Sequence, residues 1–196
     1  MYIPKHFNVT DEEEIAQFIN ANSFGQLITN NNEKMTVSHM PFLFHASTRK
    51  LFGHIAKANP QCETFVGQEI LVILSGPHGY ITPSWYSEPG VPTWNYQTAH
   101  IYGTTASFSD AEQLRNVVNR LTKVHESNFA EPWQASYDDN MRRGIVGIEI
   151  SINEIQCKYK LSQNRSAAEQ ETVALQLKQQ GEISLAEAML HSNSSN

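Results

Sequence analysis

The sequence predicts an α+β fold in which peripheral helices surround a mostly antiparallel β-barrel. Three observations lead there. Short segments alternate apolar and polar residues at strand spacing, helical patterns fall only at the start, middle and end, and no regular strand-helix-strand alternation occurs. The 196 residues suffice for one sizeable core and are short for two, and a chain that is 40% hydrophobic and 17% charged has the balance of a folded protein.

Thr10 with Glu13 reads as a capping box, and Ile15, Phe18 and Ile19 recur at helical spacing, which predicts a helix over 11–22. Strands are predicted at 25–29 and 36–44, with the polar NNNEK between them as a hairpin turn, and a third over KLFGHIA. Asn59 and Pro60 suit the cap and first position of a short helix. EILVILSG is almost continuously apolar, predicting a central strand buried on both faces. The segment from Gly76 to Pro92 is rich in proline and glycine and reads as a structured loop.

Alternation resumes along TWNYQTAHIYGTTASF, with Trp94, Tyr96, His100 and Tyr102 on one face and Asn95, Gln97 and Ile101 on the other. Ser109 with Glu112 predicts a helix to about 125, its stripe formed by Leu114, Val117, Val118, Leu121 and Val124. A strand from Gly144 carries Val146, Ile148, Ile150 and Ile152 inward. It is expected to turn near Asn153 and return as IQCKYKLS, with Lys158 and Lys160 outward. Ser166 with Glu169 and Ser184 with Glu187 predict two final helices, and HSNSSN a loose tail. The domain expectation is therefore 1–165 for the barrel, 166–190 for C-terminal helices packed on it, and 191–196 for the tail.

Composition excludes several classes. A net charge of -6 gives no global attraction to a phosphate backbone. Cys62 and Cys157 form no framework, there is no apolar leader or span-length run, and the expected compartment is the cytoplasm. The eight histidines show no ligand spacing, so no metal site is expected, and P-loop, GxGxxG and GxSxG patterns are missing.

Three stretches carry chemistry. GHIAKANPQ sets His54 and Lys57 at a strand end and Asn59 at a helix start, a corner for an anion or a solvated surface charge. PSWY and VPTWNY offer rings that stack on a planar ligand, with Asn95 and Gln97 for its polar edges, or else rings that pack a core or dimer. KYKLSQNRS offers Lys158 and Lys160 followed by Gln163, Asn164 and Arg165, a ligand patch or a lysine-protected edge.

Taken together, MYIPKHF, SHMPF, GHIAKANPQ, LVILSGPHGYITPSWY, VPTWNYQTAHIYG and KYKLSQNRS resemble, in order, the PaiB-type family of FMN-binding negative transcriptional regulators. The resemblance implies a split β-barrel of the FMN-binding type, a homodimer and FMN as cofactor. It implies Lys57 beside the flavin phosphate with His54 and Asn59 as neighbours. Trp94, Asn95 and Gln97 would lie near the ring, with Lys160, Ser162, Gln163 and Asn164 facing the same cleft. A regulator role implies DNA as a partner, which the charge does not support. The alternatives are a flavin-dependent oxidoreductase acting on a small molecule, or a haem-binding split barrel.

Overall fold

The computed structural model describes residues 1–30, 34–134, 136 and 143–194. Its strands are β1 (Asn8–Val9), β2 (Phe24–Asn30), β3 (Met35–Pro41), β4 (Leu43–His45), β5 (Lys50–Ala56), β6 (Glu69–Ile81), β7 (Thr93–Phe108) and β8 (Ile145–Lys160). They run in the order β3-β2-β6-β7-β8-β5-β4, with β1 added against β8. The pairs β1/β8, β2/β3, β2/β6, β4/β5 and β5/β8 are all antiparallel. Among the described residues four α-helices accompany them: α1 (Glu12–Ala21), α2 (Ala111–Glu126), α3 (Ala167–Gln179) and α4 (Ile183–Ser194). This is the expected α+β class. The turn expected at NNNEK falls partly on 31–33, outside the described residues.

Contacts divide the chain into two compact units: unit 1 comprises residues 1–15, 75–99 and 156–196, and unit 2 comprises 16–74 and 100–155. In unit 2 the alternate residues Leu27, Val72, Leu51 and Ile150 are fully buried, the inward set of β2, β6, β5 and β8. The other face of β5 and β4 carries α2, whose Val117 and Leu121 pack on Leu43, Phe52 and Phe108. Gly103 is required by close approach, since a Cβ there would stand 2.5 Å from the Ser151 carbonyl oxygen. In unit 1, α3 and α4 pack on each other with Val173, Leu177, Leu185 and Met189 buried. Gly181, at φ +86°, ends α3: its N–H reaches the Lys178 carbonyl and the Glu182 N–H reaches that of Leu177.

Several expectations are corrected. β6 does not stop at the glycine and proline residues but runs to Ile81, its buried positions switching from even (Ile70, Val72, Leu74) to odd (Gly79, Ile81) across that stretch. Its second face is not buried within the chain: Leu71 and Ile73 are half-exposed. Nor is there a turn at Asn153, since β8 is one strand of 16 residues. Its buried face switches from even positions (Ile148, Ile150) to odd ones (Cys157, Tyr159), and that change of phase mimics a turn in the sequence.

Lys158, expected outward, is 7% exposed because the N-terminal segment lies over it. The caps sit one residue later than expected: Asp11 accepts from the Glu14 N–H at 2.8 Å and Asp110 from that of Gln113 at 2.8 Å. Ser166 does form its capping box, whereas α4 begins at Ile183, which places Ser184 inside the helix. The α2 stripe ends at Leu121, with Val124 45% exposed. α4 runs to Ser194, into the segment expected to be tail.

Candidate functional site

The GHIAKANPQ segment lies in unit 2. β5 delivers His54 on the same face as Phe52, opposite Gly147 of β8, over which the Phe108 ring lies. A Cβ on Gly147 would fall 2.2 Å from that ring, so glycine is what lets the ring settle there. His54 Nδ1 is buried without a hydrogen-bond partner, and burial holds the imidazole below the ordinary histidine range. Lys57 follows the strand, its N–H donating to the Gly144 carbonyl at 2.9 Å, and its side chain is exposed with no ion pair among the described residues.

Asn59 is fully employed by the fold. Its Oδ1 accepts from the Gln61 N–H at 3.0 Å, capping the 3-10 turn Pro60–Glu63, and its Nδ2 donates to Ser38 Oγ at 2.9 Å. Gln61, which the sequence did not single out, is 1% exposed and locks this turn to the β2–β3 hairpin. Its two Nε2 hydrogens are shared among Leu27 O at 3.2 Å, Thr29 Oγ1 at 3.0 Å and Thr36 O at 3.2 Å, while its Oε1 accepts from Ser38 Oγ at 2.5 Å. The exposed ammonium of Lys57 is thus carried two residues before a rigidly held turn. A pendant anion such as a phosphoester suits that exposed cation.

The other expected residues lie in unit 1. β7 presents Trp94, 56% exposed, with its ring edge-on to Tyr80 at 6.1 Å between centroids, and Gln97 is half-buried. Asn95 points inward and is 0% exposed, its Nδ2 donating to Ser162 Oγ at 2.9 Å and to the Met189 sulfur at 3.4 Å. Ser162 sits at φ +67°, a left-handed conformation unusual for serine, held by Asn95 and by Tyr86 Oη at 3.2 Å. Gln163 closes the same turn, accepting from the Leu161 N–H at 2.6 Å and donating to Tyr159 O at 2.7 Å, while Asn164 is exposed. Lys160 donates to Thr93 Oγ1 at 2.5 Å and to Trp94 O at 2.7 Å, and its pKa is lowered by burial first and then by the charge of Lys158.

Asn95, Lys160, Ser162 and Gln163 are therefore brought together as the inner frame of a turn. Trp94 and Gln97 remain available at the surface. Arg165, read in the sequence as part of the KYKLSQNRS ligand patch or edge, anchors the loop before β7: its guanidinium lies 4.4 Å from the Tyr86 ring centroid and donates to Pro89 O at 3.3 Å. A Cβ at Gly90 would fall 2.9 Å from both Arg165 Nη2 and Tyr86 Cδ2, which explains the glycine of SEPG. Among the described residues no group of His, Cys, Asp or Glu is arranged to hold a metal, and no helix is long and apolar enough to cross a membrane.

Residues 1–154 match the family model described as "Putative FMN-binding domain". The chain is 40% identical over 185 residues to "Protease synthase and sporulation protein PAI 2" of Bacillus subtilis (strain 168), covering 90% of this chain and 89% of that protein. Among solved structures it resembles the FAD and haem binding protein of Mycobacterium smegmatis, with a TM-score of 0.65 at 14% identity over 83% of this chain and 78% of that one. It also resembles the flavocytochrome Anf3 of Azotobacter vinelandii, with a TM-score of 0.61 at 19% identity over 81% of this chain and 72% of that one. These likenesses give the split-barrel fold. With the family model spanning most of its length and a relative this similar, the chain belongs to the PaiB-type family of FMN-binding proteins.

Proposed function

We propose that this chain binds FMN as a homodimer and serves as a regulator of the kind its family resemblance implies. The observation that carries the flavin reading is the family match over residues 1–154. The Lys57 ammonium, with no ion pair among the described residues and just before the braced turn, supports it as the group that would hold the phosphate. Bound FMN supplies electron-transfer chemistry at its ring, and the protein supplies binding and orientation.

Equilibrium dialysis of the purified protein against FMN and riboflavin tests this reading. The expected result is FMN binding in which Lys57→Ala costs at least about tenfold, as for loss of a charge-assisted hydrogen bond, while riboflavin binding is unchanged. Equal loss for both flavins, or none for either, overturns the assignment of Lys57.

The half-exposed outer face of β3, β2 and β6 in unit 2 supports a second copy as partner. Cross-strand register aligns Val37, Ile28 and Leu71 in one row and His39, Gln26 and Ile73 in the next, flanked by Phe24 and Met35, which are 62% and 63% exposed. A sheet face that exposes this many apolar side chains beside His39 and Gln26 suits an interaction surface. Sedimentation velocity should give a dimer that Val37→Lys converts to monomer; a monomeric parent at micromolar concentration refutes it. Direct DNA contact has no support from the net charge of -6 or from α4, whose described side chains include no lysine or arginine. A promoter-fragment shift that weakens with salt is the measurement that would supply it.

A further inference from the structure

Unit 1 holds a second cationic feature, separate from the Lys57 corner. Lys158 and Lys160 leave β8 on one face, two residues apart, next to the strand that carries Trp94 and Tyr96. Lys158 is 7% exposed; its ammonium donates to Tyr2 O at 3.0 Å and lies 5.9 Å and 5.3 Å from the ring centroids of Tyr2 and Tyr96. The Lys160 ammonium is fixed on Thr93 Oγ1 and Trp94 O, and lies 6.0 Å from the Phe7 centroid.

Neither lysine forms an ion pair among the described residues; the ion pair described in unit 1 joins Arg165 to Glu169. Two neighbouring ammoniums, one of them removed from water, cost the fold both desolvation and mutual repulsion, and aromatic faces and carbonyls offset only part of that. Lys160 feels both, since burial and the Lys158 charge each lower its pKa. Packing alone would be served better by an uncharged side chain of the same length. Beside the pair, the Trp94 indole meets Tyr80 edge-on at 68°, and Tyr2 at 84% exposure forms an open rim.

We propose that Lys158, Lys160, Tyr96 and Trp94 form a binding site for a small aromatic carboxylate, its anion against the two ammoniums and its ring against the indole. Lysine pairs recognise carboxylates as charge-assisted hydrogen-bond acceptors, and the flanking rings select a flat body over an aliphatic one. This site stands apart from the flavin reading and holds whether or not Lys57 grips a phosphate.

The probe is anthranilate, whose fluorescence is excited by energy transfer from tryptophan. It is titrated into the full-length protein without flavin and again with FMN at saturation. The expected result is saturable binding in both cases, weakened at least about tenfold by Lys160→Met or Lys158→Met, largely retained by Lys160→Arg, and unmoved by Lys57→Ala. The neutral analogue 2-aminobenzamide should bind at least about tenfold more weakly. Lys160 is half-buried, so Lys160→Met carries the test even if replacement of the deeper Lys158 prevents folding. Binding that ignores both lysine replacements, or no saturable binding, overturns the proposal. Competitive displacement by FMN also overturns it, by assigning the lysines to the flavin. Failure of the Lys57 assignment would show instead in the ratio of FMN to riboflavin affinity and leave the anthranilate titration intact.

Discussion

Replacing Gln61 by leucine tests whether the turn after β5 is held by one buried amide. The side chain shares its two Nε2 hydrogens among Leu27 O, Thr29 Oγ1 and Thr36 O and accepts from Ser38 Oγ, three hydrogen-bonding protons in all. At a net of about 1 kcal/mol each, their loss would cost about 3 kcal/mol. Two considerations reduce that figure. Leu27 and Thr36 belong to the paired β2–β3 ladder, so their carbonyls are not orphaned outright, and the hydroxyls of Thr29 and Ser38 can turn to other acceptors. A loss of about 2–3 kcal/mol remains, a large share of the stability of an ordinary domain.

Urea unfolding followed by tryptophan fluorescence reads this directly. With a slope of about 2 kcal/mol per molar urea, the midpoint should fall by about 1–1.5 M for Gln61→Leu. Gln61→Glu adds a diagnostic sign. A buried carboxylate facing those acceptors would have its pKa raised by folding, so that variant should be most stable below the unfolded carboxylate range and lose stability as pH rises. A midpoint shift below about 0.3 M for Gln61→Leu would refute the reasoning, because the amide network would then be incidental to the turn.

The remaining predictions concern other parts of the chain. His54 has its folded pKa lowered by burial, so its share of stability is full above the unfolded value of about 6.5 and is lost as pH falls towards the folded one. Replacement by Gln should flatten the decline in urea midpoint below that pH, and an unchanged pH profile would exclude His54 as its source. The Cys157 thiol is pushed up to about 12, by burial first and then by the Glu14 carboxylate. It should resist a thiol reagent at pH 8 until the protein unfolds, while half-buried Cys62 reacts first; two native thiols titrating at one rate would contradict this. Gly181→Ala meets no atom within 4 Å but is forced to φ +86°, so it should lower stability by about 1 kcal/mol, measurable as a fall in Tm.

The regular elements were legible where periodicity and burial agree. KLFGHIA and TWNYQTAHIYGTTASF became β5 and β7 with the bounds their alternation marks. The caps were legible only to within one residue, for a chemical reason: in the pairs Thr10–Asp11 and Ser109–Asp110 either side chain can cap, and the aspartate does so both times. β8 was misread because a strand whose buried face changes midway loses its period-two signal there, just as a turn would. The length of β6 was hidden by Gly76 and Pro77, which read as loop residues although the strand runs through them to Ile81.

The candidate site divides along a similar line. Lys57 and Trp94 could be picked out because a cation at a strand end and an indole on an alternating strand advertise themselves in one dimension. The carboxamides could not be sorted that way. Asn59, Asn95 and Gln163 all have the chemistry to meet a ligand edge, yet each uses its amide to hold backbone or a neighbouring side chain, because an inward or turn position leaves a buried polar group no better partner. What separates ligand-facing residues from framework residues is therefore the partner already present. By that criterion the lysines with no carboxylate partner among the described residues, Lys57 in one unit and Lys158 and Lys160 in the other, are where this protein's recognition chemistry should be sought.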